Sequence, residues 1–376
     1  MINKGASDIY LTEGSEPVFR INDSVSKVGS KILSSEDTAS IAQRIMSDRE
    51  KAFFAEEKEL NMPLYFKDIG RFRVNIFKQK GAVGLVIREI KAEIPTIEDL
   101  GLPSILNEII LEKRGLILMV GATGTGKSTT LASMVDYRNR NLEGHIITVE
   151  DPIEFVHDHQ RSIITQREVG LDTKTYTAAL TSSLRQAPDV IMIGEIRELE
   201  TMEAAISFSE TGHLFLSTLH SNNANQAMER IVNFFPTEKH EQVYLQLSLN
   251  LKAIISQRLV KSLDGSRVPA TEVLIGSPRI KELIRDAKIS EIKEVMEKST
   301  TGGMQTFDQS LFNLYKSGII SLEEALKNAD SKNNLKLRVK LDSDGGLKRK
   351  RENTLDGVPK DSRNRKDTSG IRLQED

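Results

Sequence analysis

The order of apolar and polar residues divides the chain into stretches of different period. In RFRVNIF, Phe72, Val74 and Ile76 alternate with Arg71, Arg73 and Asn75, the period of a strand with one buried face. The arginines then share the opposite face. Four later runs, LILMV (116–120), HIITV (145–149), DVIMI (189–193) and LFLSTL (214–219), are apolar almost throughout. Short, rich in branched residues and separated by helical stretches, they predict parallel strands covered on both faces. Further on, RIKELIRDA places Ile280, Leu283, Ile284 and Ala287 on one helical stripe, with Arg279, Lys281, Glu282, Arg285 and Asp286 around it.

These periods predict an α/β fold in five parts. Residues 1–95 mix short strands with one clear helix, its start signalled by Ser35 followed by Glu36 and Asp37. The prolines and the Gly-Leu-Pro break of AEIPTIEDLGLPS make 96–104 a linker. Residues 105–275 alternate strands and helices, and 276–341 read as helical. The charged tail, 342–376, has no aromatic and few apolar residues and is expected to be disordered. Its KRKR run (348–351) is flanked by acids that nearly balance it, which favours a solvated tail over a nucleic-acid arm.

Composition narrows the function classes. Lys plus Arg number 52 against 54 Asp plus Glu, so no global basic field gathers nucleic acid or anionic lipid. Cysteine is absent, which removes disulfides, thiolate zinc sites and cysteine nucleophiles together. The apolar runs are too short to span a bilayer, and MINKGASDIY has no signal-peptide pattern, so a cytoplasmic protein without direct membrane insertion is expected.

The candidate chemistry begins where the first buried strand ends. Gly121, Gly126, Lys127 and Ser128 satisfy G-x-x-x-x-G-K-[ST] between a strand and a helix, the context a phosphate-binding loop requires. Gly121, Ala122, Thr123, Gly124, Thr125, Gly126, Lys127, Ser128 and Thr129 are the predicted nucleotide-binding residues. Backbone N–H groups and the helix N-terminus would hold phosphate oxygens, Lys127 would reach the β- and γ-phosphates, and the Ser128 hydroxyl would face Mg²⁺. TVEDPIE brings Glu150, Asp151 and Glu154 to the end of the second strand, where Glu150 and Asp151 are candidate magnesium holders through water and Glu150 and Glu154 further candidate catalytic carboxylates. In LRQAPDVIMIGEIRE, Glu195 follows the end of a strand after Gly194 and is placed to polarise an attacking water. TGHLFLSTLHSNN puts His213 just before a strand and His220 at its end, the latter in reach of a γ-phosphate.

The run from Leu184 to Glu198 closely resembles the signature of the secretion-superfamily ATPases, the motors of type II secretion and type IV pili. A phosphate loop, an acidic box, the L-R-x-x-P-D then G-E run and a histidine box follow here in that family's order. ASDIYLTEG, GRFRVN, EDPIEFVH, RIKELIRDA and GGMQTFDQSLFNLY extend the likeness over about residues 5–340. They resemble the twitching-motility branch, the PilT/PilU family of pilus retraction ATPases, and NADSKNNLKLRVKL is more similar to its PilU members. Two positions depart from the pattern: Glu198 stands where the signature usually closes with aspartate, and Tyr10 where the N-terminal motif usually has histidine.

The resemblance implies an N-terminal PAS-like α+β domain, a RecA-like ATPase domain with a helical C-terminal region, and a ring of six. It also implies ATP and Mg²⁺ as cofactors, and Arg88 and Arg73 of the N-terminal domain as cations that approach the phosphates. The expected partners are further copies of the chain, an inner-membrane pilus platform protein and a second retraction ATPase, at the cytoplasmic base of the pilus machine. An assembly or secretion ATPase of the same superfamily is the alternative, although such relatives commonly carry a four-cysteine metal module. A RecA-like nucleic-acid translocase is the further alternative, against which stand the near-neutral charge and 5% aromatic content.

Overall fold

The structure is a computed structural model that describes residues 1–21, 24–67, 69–90, 93–299 and 302–342. The tail from residue 343 onward lies outside the described residues. In chain order the elements are β1 (Asp8–Leu11), β2 (Val18–Ile21), β3 (Ser24–Lys27), α1 (Ser35–Ile45), α2 (Asp48–Glu57), β4 (Glu59–Phe66), β5 (Gly70–Gln79) and β6 (Ala82–Ile90). There follow α3 (Ile105–Ile110), β7 (Gly115–Val120), α4 (Lys127–Asn141), β8 (Gly144–Glu150), β9 (Ser162–Glu168), α5 (Tyr176–Ser183), β10 (Val190–Ile193), α6 (Leu199–Glu210) and β11 (Leu214–Leu219). The last are α7 (Ala224–Val232), α8 (His240–Asn250), β12 (Leu251–Lys261), β13 (Arg267–Ile275), α9 (Pro278–Arg285), α10 (Ile292–Lys298), α11 (Phe307–Lys316) and α12 (Leu322–Asn328).

The first six strands form one antiparallel sheet in the order β3-β2-β1-β6-β5-β4. Its alternation is the one read from β5: Phe72, Val74 and Ile76 are buried, and Val74 and Ile76 pack with Leu85, Met62, Ala42 and Phe54 beneath the two helices. Two helices stand here where one was expected. Ser34 and Ser47 each accept from the N–H three residues on, and Asp37 and Glu50 bond back, so both helices open on a capping box. The cap of α1 is therefore Ser34, one residue before the serine read from sequence.

The remaining seven strands form a second sheet in the order β13-β12-β7-β11-β10-β8-β9. It is parallel except at one edge, where β13 runs antiparallel to β12. The four runs read from sequence are all parallel, and the antiparallel edge lies outside them: β12 and β13 are joined by the short turn around Gly265, whose length permits only a hairpin. The four buried runs show why they lack alternation. Along β7, Leu116, Leu118 and Val120 face a core with α5 to α9, while Ile117 and Met119 face another with α3 and α4. Both faces are covered, so every position is apolar. Beyond the sheet, α11 and α12 bury Phe307, Leu311 and Ala325 against Val260 and Ala270 of the β12–β13 hairpin, and residues 332–342 are helical.

In α9, Ile280, Leu283 and Ile284 are buried, but Ala287 is not part of their stripe. The helix stops at Arg285; Lys288 N–H donates to Leu283 O (2.8 Å) and Ala287 N–H to Ile284 O (3.0 Å). This Schellman closure puts Ala287 in the left-handed region at φ +56° and leaves it exposed.

Candidate functional site

In a parallel sheet the strand C-termini share one edge, and this edge carries most of the predicted site. The loop from Gly121 to Gly126 leaves β7 and enters α4, whose first residue is Lys127. Its geometry needs glycine at two points. Gly126 has φ +86°, and at Gly121 (φ +154°) a Cβ would stand 2.6 Å from the carbonyl oxygen of Gln257. The Lys127 ammonium donates to Gly121 O and Ala122 O, both at 2.9 Å, folding the side chain back over the loop. Burial lowers its pKa, and the fields of Glu195 and Glu154 oppose that shift. Thr125 Oγ1 closes the loop on Ala122 O at 2.9 Å.

Beside the loop lies a cavity of about 600 Å³. Thr123, Gly124, Gly126, Lys127, Ser128 and Thr129 line it, whereas Gly121, Ala122 and Thr125 do not. Glu150, Asp151, Glu154, Glu195 and His220 meet in the facing wall. Glu195 is held at both oxygens: its Oε1 lies 3.0 Å from His220 Nε2, and its Oε2 accepts from Arg197 at 2.8 Å. Glu150 accepts from Thr148 Oγ1 (2.7 Å) and Gln166 Nε2 (3.3 Å). Burial pushes its carboxyl up to about 7, against the pull of those bonds. Gln166 also donates to Phe155 O (2.9 Å) and accepts from His157 N–H (2.8 Å), so one side chain fixes both ends of the acidic segment.

The other predicted residues are not all brought here. Arg73 lies in a second cavity of about 600 Å³, between the N-terminal sheet and the acidic segment, with Asp151 and Glu168 in the same wall. Asp151 thus faces both cavities. Burial raises the Glu168 carboxyl while Arg73 counters it. Arg88 stands directly opposite Arg73 across β5 and β6, but its Nε is bound to the buried Asp8 at 2.7 Å and it lines neither cavity. His213 sits at the other edge of the sheet, its Nδ1 3.2 Å from both Phe208 O and Thr211 Oγ1.

The two departures from the family pattern have partners. Glu198 accepts from Thr177 and Thr201 at 3.3 Å before α6, and the Tyr10 hydroxyl accepts from Arg20 Nε at 2.8 Å.

Sequence reasoning missed several residues of the site and its support. Arg197 was within two positions of Glu195 and offered a signal. Tyr176 did not: it opens α5 and enters the cavity only through the fold, where burial raises its hydroxyl and Gly194 leaves room for its oxygen. Gln166 could be found only from its register opposite Thr148.

The residues present suit a nucleoside triphosphate with a hard cation. Loop N–H groups and the N-terminus of α4 suit phosphate, and Ser128, Glu150 and Asp151 offer the oxygen donors that magnesium takes. Among the described residues no group of three or more His, Cys, Asp or Glu stands ready to cage a metal. No helix among them is long and apolar enough to cross a membrane.

Residues 1–277 match the family described as Type II/IV secretion system protein. The chain is 52% identical over 345 residues to the type IV pilus ATPase PilU of Pseudomonas aeruginosa, covering 92% of this chain and 90% of that protein. It is 40% identical to the type IV pilus retraction ATPase PilT of the same organism, over 87% of this chain and 95% of the relative. A crystal structure of the pilus retraction motor PilT with bound ADP superposes with a TM-score of 0.84 at 43% identity, covering 89% of this chain and 96% of that one. With an N-terminal α+β domain, a RecA-like domain that carries the phosphate loop and a helical C-terminal region, the chain belongs to the type II/IV secretion ATPases, in their PilT/PilU branch.

Proposed function

We propose that this chain is a Mg-ATP-hydrolysing ring motor, six copies to the ring, that powers type IV pilus retraction as a PilU-like accessory ATPase. The observation that carries the reading is Lys127 and Glu195 in one cavity, with the carboxylate held between His220 and Arg197. The loop N–H groups and Lys127 would bind the phosphates; Ser128, Glu150 and Asp151 would hold Mg²⁺. That ion, when bound, neutralises charge on the phosphoryl oxygens. Glu195 orients and polarises the attacking water, and His220 fixes the carboxylate while facing the γ-phosphate. Glu154 adds to the field that keeps Lys127 charged. Gly126, Thr129 and Thr130 also border a neighbouring cavity of about 480 Å³ whose apolar wall includes Leu100, Leu259 and Leu314, a fit for the base.

Residues 1–95 act as the PAS-like domain, 96–104 as the linker, 105–275 as the catalytic core and 276–341 as the helical region. Arg73 and Arg88 present cations from the N-terminal domain to phosphates as neighbouring subunits close. The ring works on the cytoplasmic side of the inner membrane, against a pilus platform protein and beside a second retraction ATPase. ATP turnover measured together with the mass of the assembly tests this. Magnesium-dependent hydrolysis by a hexamer is expected; a monomer without turnover under every nucleotide condition would overturn the motor reading.

A further inference from the structure

A buried amide supports the phosphate loop from outside the loop. Gln257 of β12 is 4% exposed. Its Nε2 donates to Thr125 O at 2.7 Å, near the end of the loop, and its Oε1 accepts from Thr130 Oγ1 at 2.8 Å, one turn into α4. Both motif glycines lie against the same residue. A Cβ on Gly121 would come within 2.6 Å of the Gln257 carbonyl oxygen, and one on Gly126 within 2.8 Å of its side-chain nitrogen.

The chemistry of the position is narrow. One side chain must donate at one end and accept at the other, which an amide does and a carboxylate or an alkyl group does not. The amide is itself anchored by its neighbours, which point to the other face of the strand. Ser256 donates to Glu272 at 3.0 Å, and Glu272 accepts the Ala224 N–H at the start of α7, four residues after His220. Arg258 donates to Asn328 O at 2.9 Å, pairs with Asp330 and lies over the Phe307 ring at 3.8 Å. The strand segment under the loop is therefore held by the histidine segment and by the C-terminal helices together.

We propose that Gln257 is a positioning residue of the phosphate loop: its amide sets the loop in its phosphate-binding shape, and nucleotide affinity depends on it. The inference rests on the reading of the loop as an ATP site. Preorganisation of this kind changes binding more than stability, because a loop that relaxes must be reordered each time a ligand arrives.

The test uses the full chain, with N-methylanthraniloyl-ADP as the probe, and compares wild type, Gln257→Met, Thr130→Val and the double variant. Thr130→Val removes the same contact from the helix side with little change of shape. Expected are melting temperatures within a few degrees of wild type, affinity weakened about tenfold by Gln257→Met and about threefold by Thr130→Val. The double variant should bind no worse than Gln257→Met alone, since both changes break one interaction. Wild-type affinity in a folded Gln257→Met protein would overturn the proposal. So would an affinity loss that only follows a collapse in melting temperature while Thr130→Val binds normally, which would make Gln257 a packing residue. Wild-type protein that fails to bind the probe would sink the nucleotide reading instead.

Discussion

The two edges of the seven-stranded sheet are built from the same strands and carry similar side chains, yet the two put them to different use. At the N-terminal edge, Asp189 accepts the His145 N–H at 2.8 Å, the His145 ring lies 2.9 Å from both Gln186 O and Thr165 Oγ1, and His213 is closed onto Phe208 and Thr211. These groups bind the connections that enter the strands. At the C-terminal edge, Lys127, Glu150, Glu195 and His220 border about 600 Å³ of space. Residue type therefore does not decide function here; strand direction does, because the loops that leave parallel strands splay apart and leave a crevice.

The largest way to break the comparison is to remove the charge nearest the phosphates. Lys127→Ala should reduce ATP turnover to background and weaken nucleotide binding, while the cores on both faces of the sheet stay intact. Calorimetric titration with ATP checks the second point, and a folded variant that binds and hydrolyses like wild type would mean the site lies elsewhere. Next in size, Glu195→Gln should keep ATP binding and lower turnover about 10²-fold or more, since shape is retained and the carboxylate is lost. Single-turnover kinetics decide it, and undiminished hydrolysis would shift the role to Glu150 or Glu154. His220→Gln should cost about tenfold in the same assay, as one of two supports of Glu195 is weakened while Arg197 remains.

The difference between the edges also explains what the sequence made legible. The four buried runs at 116–120, 145–149, 189–193 and 214–219 stand out because sheet positions covered on both faces must be apolar. β12 does not stand out, since Ser256, Gln257 and Arg258 interrupt its apolar run, and each is there to hold another segment. β9 is polar at Thr165, Gln166 and Arg167 for a related reason: it is an edge strand, and Gln166 reaches toward Glu150. The phosphate loop was legible because its chemistry is local to a few consecutive residues. Tyr176, Gln166 and Gln257 were not, because their partners lie in other segments and no spacing along the chain records the meeting. The arginines show the same limit: alternation put Arg73 on the polar face of β5, but only the register shows Arg88 opposite it and bound to Asp8.

A smaller effect sharpens the contrast through pH. The folded state holds the Glu150 carboxyl at about 7, above its ordinary value of 4.5. A raised pKa means that the native protein binds the proton more tightly than the unfolded chain does. Glu150's contribution to stability is then full below pH 4.5 and is lost as pH rises through about 7. Glu150→Gln, which cannot ionise, should match wild type at about pH 4 and exceed it at about pH 8 by about 1–3 kcal/mol. Urea unfolding of nucleotide-free, magnesium-free protein measures this, and equal pH slopes for the two proteins would show that Glu150 is not held protonated by burial.

The smallest effect is expected at the opposite edge, and it tests the comparison most directly. His213 and His220 flank one strand, β11, so a reading based on residue type treats them alike. The structure gives them different work. The His213 ring bonds within its own turn and meets the Phe208 ring edge-on at 5.4 Å. His213→Leu should leave ATP affinity and turnover within about twofold of wild type while lowering stability by about 0.5–1.5 kcal/mol, the cost of a lost hydrogen bond. Melting and steady-state turnover, run beside His220→Gln, separate the two roles. If His213→Leu slowed hydrolysis as much as His220→Gln without a matching loss of stability, the N-terminal edge would be part of the machinery, and strand direction would no longer sort functional residues from structural ones.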